Sequence, residues 1–255
     1  MKLRVLGCDG GIGSERKTTS LLIDDDILID SGSGVGDLSL EELAKIKHVF
    51  LTHTHLDHHA FLPLLVDSVF SLITDSIVVH GQLHTIKALK DHIFNWVIWP
   101  DFSSLPTPET AVMSYEVMKP SSSVVIDGRT IEMIPVNHIV PTVGYRVESA
   151  EGASFAFSGD TCTNDTFWRA LNAHNKLDLL IVEAAFSNSE EQLSRVARHY
   201  CSKTLAEDIV KLQHRPEVYL SHPKPGDEQD IFAECSQLIT QHVIKQLHGG
   251  EVFHL

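Results

Sequence analysis

The sequence lacks any run of apolar residues long enough to span a bilayer, so we expect no membrane-spanning helix. The apolar stretch after Met1 is too short for a secretory leader and runs directly into a strand pattern. Internal repeats and low-complexity linkers are also missing. These absences favour an ordinary folded protein of the cytoplasm over a membrane, secreted or repeat protein.

Closely spaced cysteine pairs are missing as well. The four cysteines, Cys8, Cys162, Cys201 and Cys235, are far apart, and none belongs to a C-x-x-C motif. This spacing indicates neither a disulfide framework nor a thiolate zinc site. We therefore expect reduced thiols.

Positive charge is scarce, with 20 basic against 34 acidic residues and a formal net charge of −14. An acidic surface repels polyanions, which disfavours long RNA or DNA as a substrate. A small anionic substrate remains compatible with this charge. Histidine, in contrast, is abundant at 16 residues, which directs attention to metal ligands.

Short β-type runs alternate with longer helical patterns along the chain. The strands fall into two groups, each accompanied by helices, which predicts an α/β fold with two facing sheets in a four-layer αββα sandwich. We expect one hydrolase domain over residues 1–255, with the two halves meeting near 130–150. The last helix is predicted over about 227–247, and a final strand over 251–255.

Four potential metal ligands lie within six residues, directly after an apolar strand: His53, His55, Asp57 and His58. Alternate side chains of an extended segment point the same way, so His53 and His55 can bind one metal. Asp57 and His58 fall where the chain turns into the next helix and can bind a second metal. Imidazole and carboxylate suit zinc, manganese or iron.

Further ligands are available where other apolar runs end in polar residues. His138 follows residues 134–137, Asp160 follows 155–159, and His222 follows 218–221. In order, the H-x-H-x-D-H run at 53–58, His138, Ser-Gly-Asp-Thr at 158–161 and His222 resemble the ligand motifs of the metallo-β-lactamase superfamily. The resemblance implies that His53, His55 and His138 hold one metal, that Asp57, His58 and His222 hold the other, and that Asp160 bridges them.

The chemistry expected of such a site is hydrolysis. Two divalent metals about 3.5–4 Å apart share a water and lower its pKa toward about 7. The resulting bridging hydroxide would attack a phosphorus or a carbonyl carbon, and Asp57 would orient it or accept its proton. No serine or cysteine nucleophile is needed.

Three further segments, at 94–100, 181–188 and 221–225, are similar to those of class II cyclic-nucleotide phosphodiesterases. This resemblance implies hydrolysis of a 3′,5′-cyclic nucleotide, such as cAMP, to a 5′-nucleotide. Two positions depart from that family's pattern, because His59 and Phe61 stand where an apolar residue and a glycine are usual. The departures concern substrate range more than metal chemistry.

A cyclic nucleotide combines a phosphate with an aromatic base. Lys224 is a candidate to pair with the phosphate, although a solvated lysine is an equal alternative. Trp99, in the segment that also contains Asn95, is a candidate to line the base, and a core role is the alternative. His199 is a candidate proton donor to the leaving 3′ oxygen, and a surface histidine is the alternative.

Other functions stay open. Gly144-Tyr145-Arg146 is similar to ribonuclease Z, a tRNA 3′ processing enzyme, but Val182 stands where that family carries a histidine. A thioester or lactone hydrolase of the same superfamily is a further alternative. A metal-binding module without catalysis is the alternative outside enzymes. A homodimer is compatible with the aromatic segment at 94–102, which would then form an interface.

Overall fold

The computed structural model describes all residues from Met1 to Leu255. It contains fourteen strands and eight α-helices, joined by loops and short 3-10 turns. The strands are β1 Lys2–Gly7, β2 Ser20–Ile23, β3 Ile27–Ile29, β4 His48–Phe50, β5 Ile77–Gly81, β6 Met113–Val117, β7 Ser123–Ile126, β8 Arg129–Val136, β9 Thr142–Glu148, β10 Ser154–Phe157, β11 Leu179–Glu183, β12 Glu217–Ser221, β13 Ile244–Gln246 and β14 Val252–His254. The helices are α1 Leu40–Leu43, α2 Leu56–His59, α3 Leu62–Val69, α4 Leu83–His92, α5 Thr166–Asn172, α6 Glu191–Ala197, α7 Ser202–Ile209 and α8 Glu228–Leu238.

The strands form two seven-stranded mixed sheets. The first has the order β14-β1-β2-β3-β4-β5-β6, and the second has the order β13-β12-β11-β10-β9-β8-β7. In the first sheet, β3, β4, β5 and β6 are parallel neighbours. In the second, β10, β11, β12 and β13 are parallel. The predicted αββα sandwich is therefore confirmed.

Alternation along the strands explains the layers. In β2, Leu21 and Ile23 pack into the apolar core between the sheets, whereas Leu22 faces a second core on the other side. That second core also contains apolar residues of α3 and α4. A third core joins the outer face of the second sheet to α5, α7 and α8. Each sheet thus has one face on its partner and one face under helices, as strands of period two require.

Two sequence predictions about boundaries are wrong. The first sheet ends with β6 and the second begins with β7, so the halves meet at 118–122 and not at 130–150. The hairpin at Asp127-Gly128 belongs wholly to the second sheet. The last helix ends at Leu238, because Ile244 pairs with Val218 at the edge of that sheet instead of continuing the helix.

Both sheets present the carboxyl ends of their parallel strands to the same region of the molecule, as shown by the residues that meet there. Asp30 follows β3 and His53 lies shortly after β4, while Asp160 follows β10 and His222 follows β12. Loops at such strand ends are where α/β folds bind ligands. No helix of the structure has the length and apolar character needed to cross a membrane.

Candidate metal centre

The histidine run lies between β4 and α2 and continues into that helix. After β4 the chain runs without regular secondary structure and bends at Thr54 before His55, the N-cap of α2, whose own backbone is extended. His53 and His55 therefore lie in the segment before α2, while Asp57 and His58 lie in its first turn. One short segment thus directs its side chains into two neighbouring groups.

The first group contains three histidines and one aspartate: His53, His55, His138 and Asp160. Their candidate ligand atoms all lie within 4.8 Å of one another. His138 Nε2 is 3.3 Å from His55 Nδ1 and 4.0 Å from Asp160 Oδ2. His53 Nε2 is 3.6 Å from the same Oδ2 atom. Three imidazoles and one carboxylate at this spacing match a tetrahedral metal site.

The second group contains Asp57, His58, Asp160 and His222, again with candidate ligand atoms within 4.8 Å. Asp160 Oδ1 is 3.3 Å from His58 Nε2 and 3.4 Å from His222 Nδ1. Asp57 Oδ2 is 3.8 Å from His58 Nε2 and 3.7 Å from His222 Nε2. The structure therefore brings all seven predicted ligands together.

Asp160 lies between the groups and offers one carboxylate oxygen to each. Its Oδ2 faces His53 and His138, and its Oδ1 faces His58 and His222. The backbone reaches this position through Gly159, which has a φ of +59°. A Cβ at Gly159 would lie 2.6 Å from the carbonyl oxygen of Val143. Only glycine allows this close approach without strain.

The polar atoms at the centre have no hydrogen-bond partners, although they are buried. These atoms are His53 Nε2, His58 Nε2, Asp160 Oδ1 and both ring nitrogens of His222. Buried polar atoms are normally paired. A divalent cation in each group would satisfy them, so the residues fit the two metals that the sequence predicts.

The outward nitrogens of three of the histidines are anchored. His58 Nδ1 is 2.6 Å from Asp30 Oδ2, and His138 Nδ1 is 2.9 Å from the carbonyl oxygen of Arg198. His53 Nδ1 is 2.9 Å from Thr52 Oγ1, which in turn donates to Asp30. Because the acceptors hold a proton on Nδ1, the Nε2 atom of each ring in its neutral form presents a lone pair to the centre. Such outer contacts orient metal-binding histidines.

Electrostatics prepares two of the histidines and Asp160 for coordination. Burial lowers the pKa of His53, and burial lowers the pKa of His138 to about 4. Both rings are therefore neutral near pH 7, which is the form that binds metal. Burial alone would raise the pKa of Asp160, but His222 and His58 outweigh it and hold the pKa well below its ordinary value. Asp160 is thus an anion.

A glutamate–histidine pair borders the two groups. His199 Nδ1 is 2.9 Å from Glu183 Oε1, and the His199 ring lies 4.7 Å from that of His138 and 5.4 Å from that of His222. Glu183, the last residue of β11, also accepts from the backbone N–H of Thr161. Burial opposes charge on His199, but Glu183 outweighs it and raises the pKa. The predicted proton donor therefore lies beside the centre.

The predicted substrate residues differ in position. Lys224, which lies two residues after His222 in the sequence, donates to the carbonyl oxygen of Gly10. Trp99 packs against the core under α3 and α4. The Asn95 side chain holds its own turn, accepting from the N–H groups of Val97 and Ile98. No contact joins Asn95 or Trp99 to the metal centre, so their role in substrate binding stays a prediction.

Sequence reasoning did not assign roles to Asp30, Glu183 or Arg198. Asp30 and Glu183 carried the same signal as the ligands, because each is an acidic residue at the end of an apolar strand. Arg198 carried no such signal. It has a left-handed backbone, and its guanidinium donates to the carbonyl oxygen of His138.

The chain is similar to several known proteins in sequence and in fold. A probable 3′,5′-cyclic-nucleotide phosphodiesterase of Yersinia pestis is 25% identical over 88% of this chain and 78% of its own length. A ribonuclease Z of Methanopyrus kandleri is 28% identical over 58% of this chain and 50% of its own. The structure of unliganded yeast PDE1 superposes with a TM-score of 0.83 at 18% identity, covering 100% of this chain and 99% of that one.

The family model described as the beta-lactamase superfamily domain matches residues 26–222. This range begins before β3 and ends at His222, so it includes all the predicted metal ligands. The chain therefore belongs to the beta-lactamase superfamily and is a metal-dependent hydrolase of the metallo-β-lactamase fold.

Proposed function

We propose that the chain is a binuclear phosphodiesterase that hydrolyses a 3′,5′-cyclic nucleotide to the 5′-nucleotide, with zinc as its metal and manganese or iron as substitutes. The observation that carries this proposal is the position of Asp160, whose two oxygens face two separate ligand groups. Because the two sheets both supply ligands, we also propose that residues 1–255 act as one domain.

In this proposal each metal ion has its own histidines. His53, His55 and His138 would hold the first ion, Asp57, His58 and His222 would hold the second, and Asp160 would contribute to both groups. Bound there, the ions would supply an activated water and neutralise charge on the reacting phosphate. The protein contributes a buried, anchored set of ligands that does not need to reorganise during the reaction.

Asp57 has a second proposed role. Its side chain is 27% exposed, whereas those of His58 and Asp160 are almost fully buried. A carboxylate that borders both solvent and the ligand group is placed to orient the attacking water and accept its proton.

His199 is proposed to protonate the leaving 3′ oxygen. Glu183 holds the Nδ1 side of the ring, which leaves Nε2 available next to the histidines of both groups. Lys224 is proposed to pair with the phosphate, since it follows the ligand His222 by two residues and lies within the same loop. Together these residues would bind an anion, orient it and supply a proton.

The choice of substrate is supported by the names of relatives. The Yersinia pestis relative covers most of this chain and is named a probable 3′,5′-cyclic-nucleotide phosphodiesterase, and a relative of Aliivibrio fischeri has the same activity in its name. A small substrate also suits the net charge of −14, which opposes long nucleic acids.

The first experiment is hydrolysis of cAMP by the purified protein with zinc or manganese, beside Asp160→Ala and the control Asp37→Asn. Asp37 is an exposed carboxylate paired with Lys17. We expect release of 5′-AMP by the wild type and by the control, but not by Asp160→Ala. No turnover of cAMP by a zinc-loaded wild type would contradict the substrate assignment.

Parallel substrates separate the alternatives. Cleavage of bis-p-nitrophenyl phosphate without cAMP turnover would indicate a phosphodiesterase that acts on another substrate. Cleavage of a thioester would indicate an acyl hydrolase. Because one relative is named ribonuclease Z, a precursor tRNA must also be tested as a substrate. Cleavage of that tRNA with a steep salt dependence would establish the tRNA processing function instead.

A further inference from the structure

A polar cavity lies at the edge of the second sheet, away from the metal centre. It has a volume of about 380 Å³ and lies between the amino end of β12 and the segment that leads into β13. The lining residues are Arg215, Pro216, Glu217, Gln241, His242, Val243 and Lys245. His222 follows the opposite end of β12, so the strand separates the two places by about 13 Å.

Several polar groups of this cavity lack partners. Both ring nitrogens of His242 and the Nε2 atom of Gln241 are buried and form no hydrogen bond. His242 itself is 8% exposed. Burial, with help from Arg215, lowers the pKa of His242, so its ring is neutral and carries one N–H. Buried donors without acceptors destabilise a fold unless a ligand or water satisfies them.

The positive charge of the cavity is only partly neutralised. Lys245 Nζ is 2.9 Å from the Glu217 carboxylate and 3.3 Å from the Tyr219 hydroxyl, so its charge is paired. Arg215 forms no ion pair, and its one hydrogen bond reaches the carbonyl oxygen of its neighbour His214. Arg215 is exposed to solvent at the cavity, so its guanidinium is free to contact a bound anion.

We infer that this cavity binds a small oxyanion, a phosphate or carboxylate group, through Arg215, Gln241 and His242. Glu217 is already paired with Lys245, so an oxyanion would supply the negative charge that Arg215 lacks and the acceptors that Gln241 and His242 lack. The planar guanidinium of arginine matches both phosphate and carboxylate oxygens in a two-bond contact. The Gln241 amide and the His242 N–H then donate to the remaining oxygens once the His242 ring turns toward the ligand.

This site is independent of the proposed catalytic function, since it shares no residue with the metal centre. The test uses the zinc-loaded full chain with isotopically labelled histidine, titrated with sodium phosphate at constant ionic strength. The His242 ring signals are identified by their absence in His242→Gln. We expect these signals to shift and saturate, separately from any change at the metal-binding histidines. Sodium acetate in a second titration distinguishes a carboxylate from a phosphate ligand.

Two variants decide whether the arginine carries the binding. Arg215→Gln is expected to raise the phosphate concentration at half-saturation of the His242 signals about 10- to 100-fold, because a charge-assisted contact is lost. Arg169→Gln removes the same charge from an exposed arginine that does not line the cavity, and it should leave the midpoint unchanged. No saturable shift with either anion, or equal midpoints for the two variants, would overturn the inference.

Discussion

The most informative substitution at the centre is Asp30→Asn, because Asp30 contacts the candidate ligand His58 but belongs to neither ligand group. Its Oδ2 accepts from His58 Nδ1 at 2.6 Å and from the Thr52 hydroxyl at 2.8 Å, and its Oδ1 accepts from the Thr52 N–H at 2.8 Å. Asparagine has nearly the same shape and keeps one oxygen for Thr52. Its NH₂ group, however, would face the N–H of His58, so one of these contacts must fail.

The simplest relief is a change of His58 tautomer. The ring would accept from the asparagine through Nδ1 and carry its proton on Nε2, which is the atom 3.3 Å from Asp160 Oδ1. A protonated Nε2 cannot bind a metal. Loss of such an outer partner weakens metal binding by about 10- to 100-fold. This corresponds to about 1.4–2.8 kcal/mol. We expect the loss to fall on the group of His58 and His222, and to spare that of His53.

The assay is stepwise zinc removal by a competing chelator, together with the activity of the zinc-saturated protein. Asp30→Asn should release one zinc ion early while retaining the other, and Asp37→Asn, which removes the same charge from the surface, should release both as the wild type does. Equal loss of both ions would show that Asp30 supports the whole centre. Two ions held as tightly as in the wild type would refute the tautomer argument.

Three other substitutions test separate features. His199→Ala should slow turnover about 10²- to 10⁴-fold at full zinc content; loss of zinc, measured by elemental analysis, would make His199 a ligand instead. Burial, assisted by His48, lowers the pKa of His80 to about 4 in the folded chain. As the pH falls, His80 is therefore protonated in the unfolded chain before it is protonated in the folded chain. The free energy of unfolding should decrease by about 2–3 kcal/mol between pH 6.5 and pH 4. Urea unfolding of His80→Gln at several pH values should show a correspondingly shallower decline than that of the wild type. Gly159→Ala should lower the free energy of unfolding by about 1–3 kcal/mol, because φ is +59° and the new Cβ meets the Val143 carbonyl at 2.6 Å; an unchanged urea midpoint would contradict this.

The candidate ligand groups could be predicted because their signal is local. His53 and His55 stand two residues apart after an apolar strand, and in extended backbone this spacing predicts a common direction for their side chains. The distant candidate ligands His138, Asp160 and His222 each follow an apolar run, and parallel strands end at a common edge. The resemblance to a known superfamily then ordered them into two sets.

The wrong boundaries have a different origin. Residues 244–246 form a strand because β12 offers an open parallel edge, and a single sequence does not show which edge is free. Similarly, the sequence of the hairpin formed by β7 and β8 does not indicate which of the two sheets it belongs to. The contacts of Asn95 and Trp99 depend on how the loop after α4 packs against the core. Pairing between distant segments decided each of these cases.

Asp30 and Glu183 show where the limit lies. Both end apolar strands, as the ligands do, yet each turns its carboxylate to a histidine ring instead of to the centre of a ligand group. Asp30 and Glu183 differ from the candidate ligands in their distance from the centre, because Asp30 contacts the Nδ1 atom of His58 and Glu183 contacts the Nδ1 atom of His199. A sequence motif marks the edge of the sheet at which acids and histidines gather, but not their distance from the centre. An acid at such a strand end that is left over once the ligand sets are complete is therefore best interpreted as an anchor for a histidine, and its substitution should change metal affinity or proton transfer before it changes the fold.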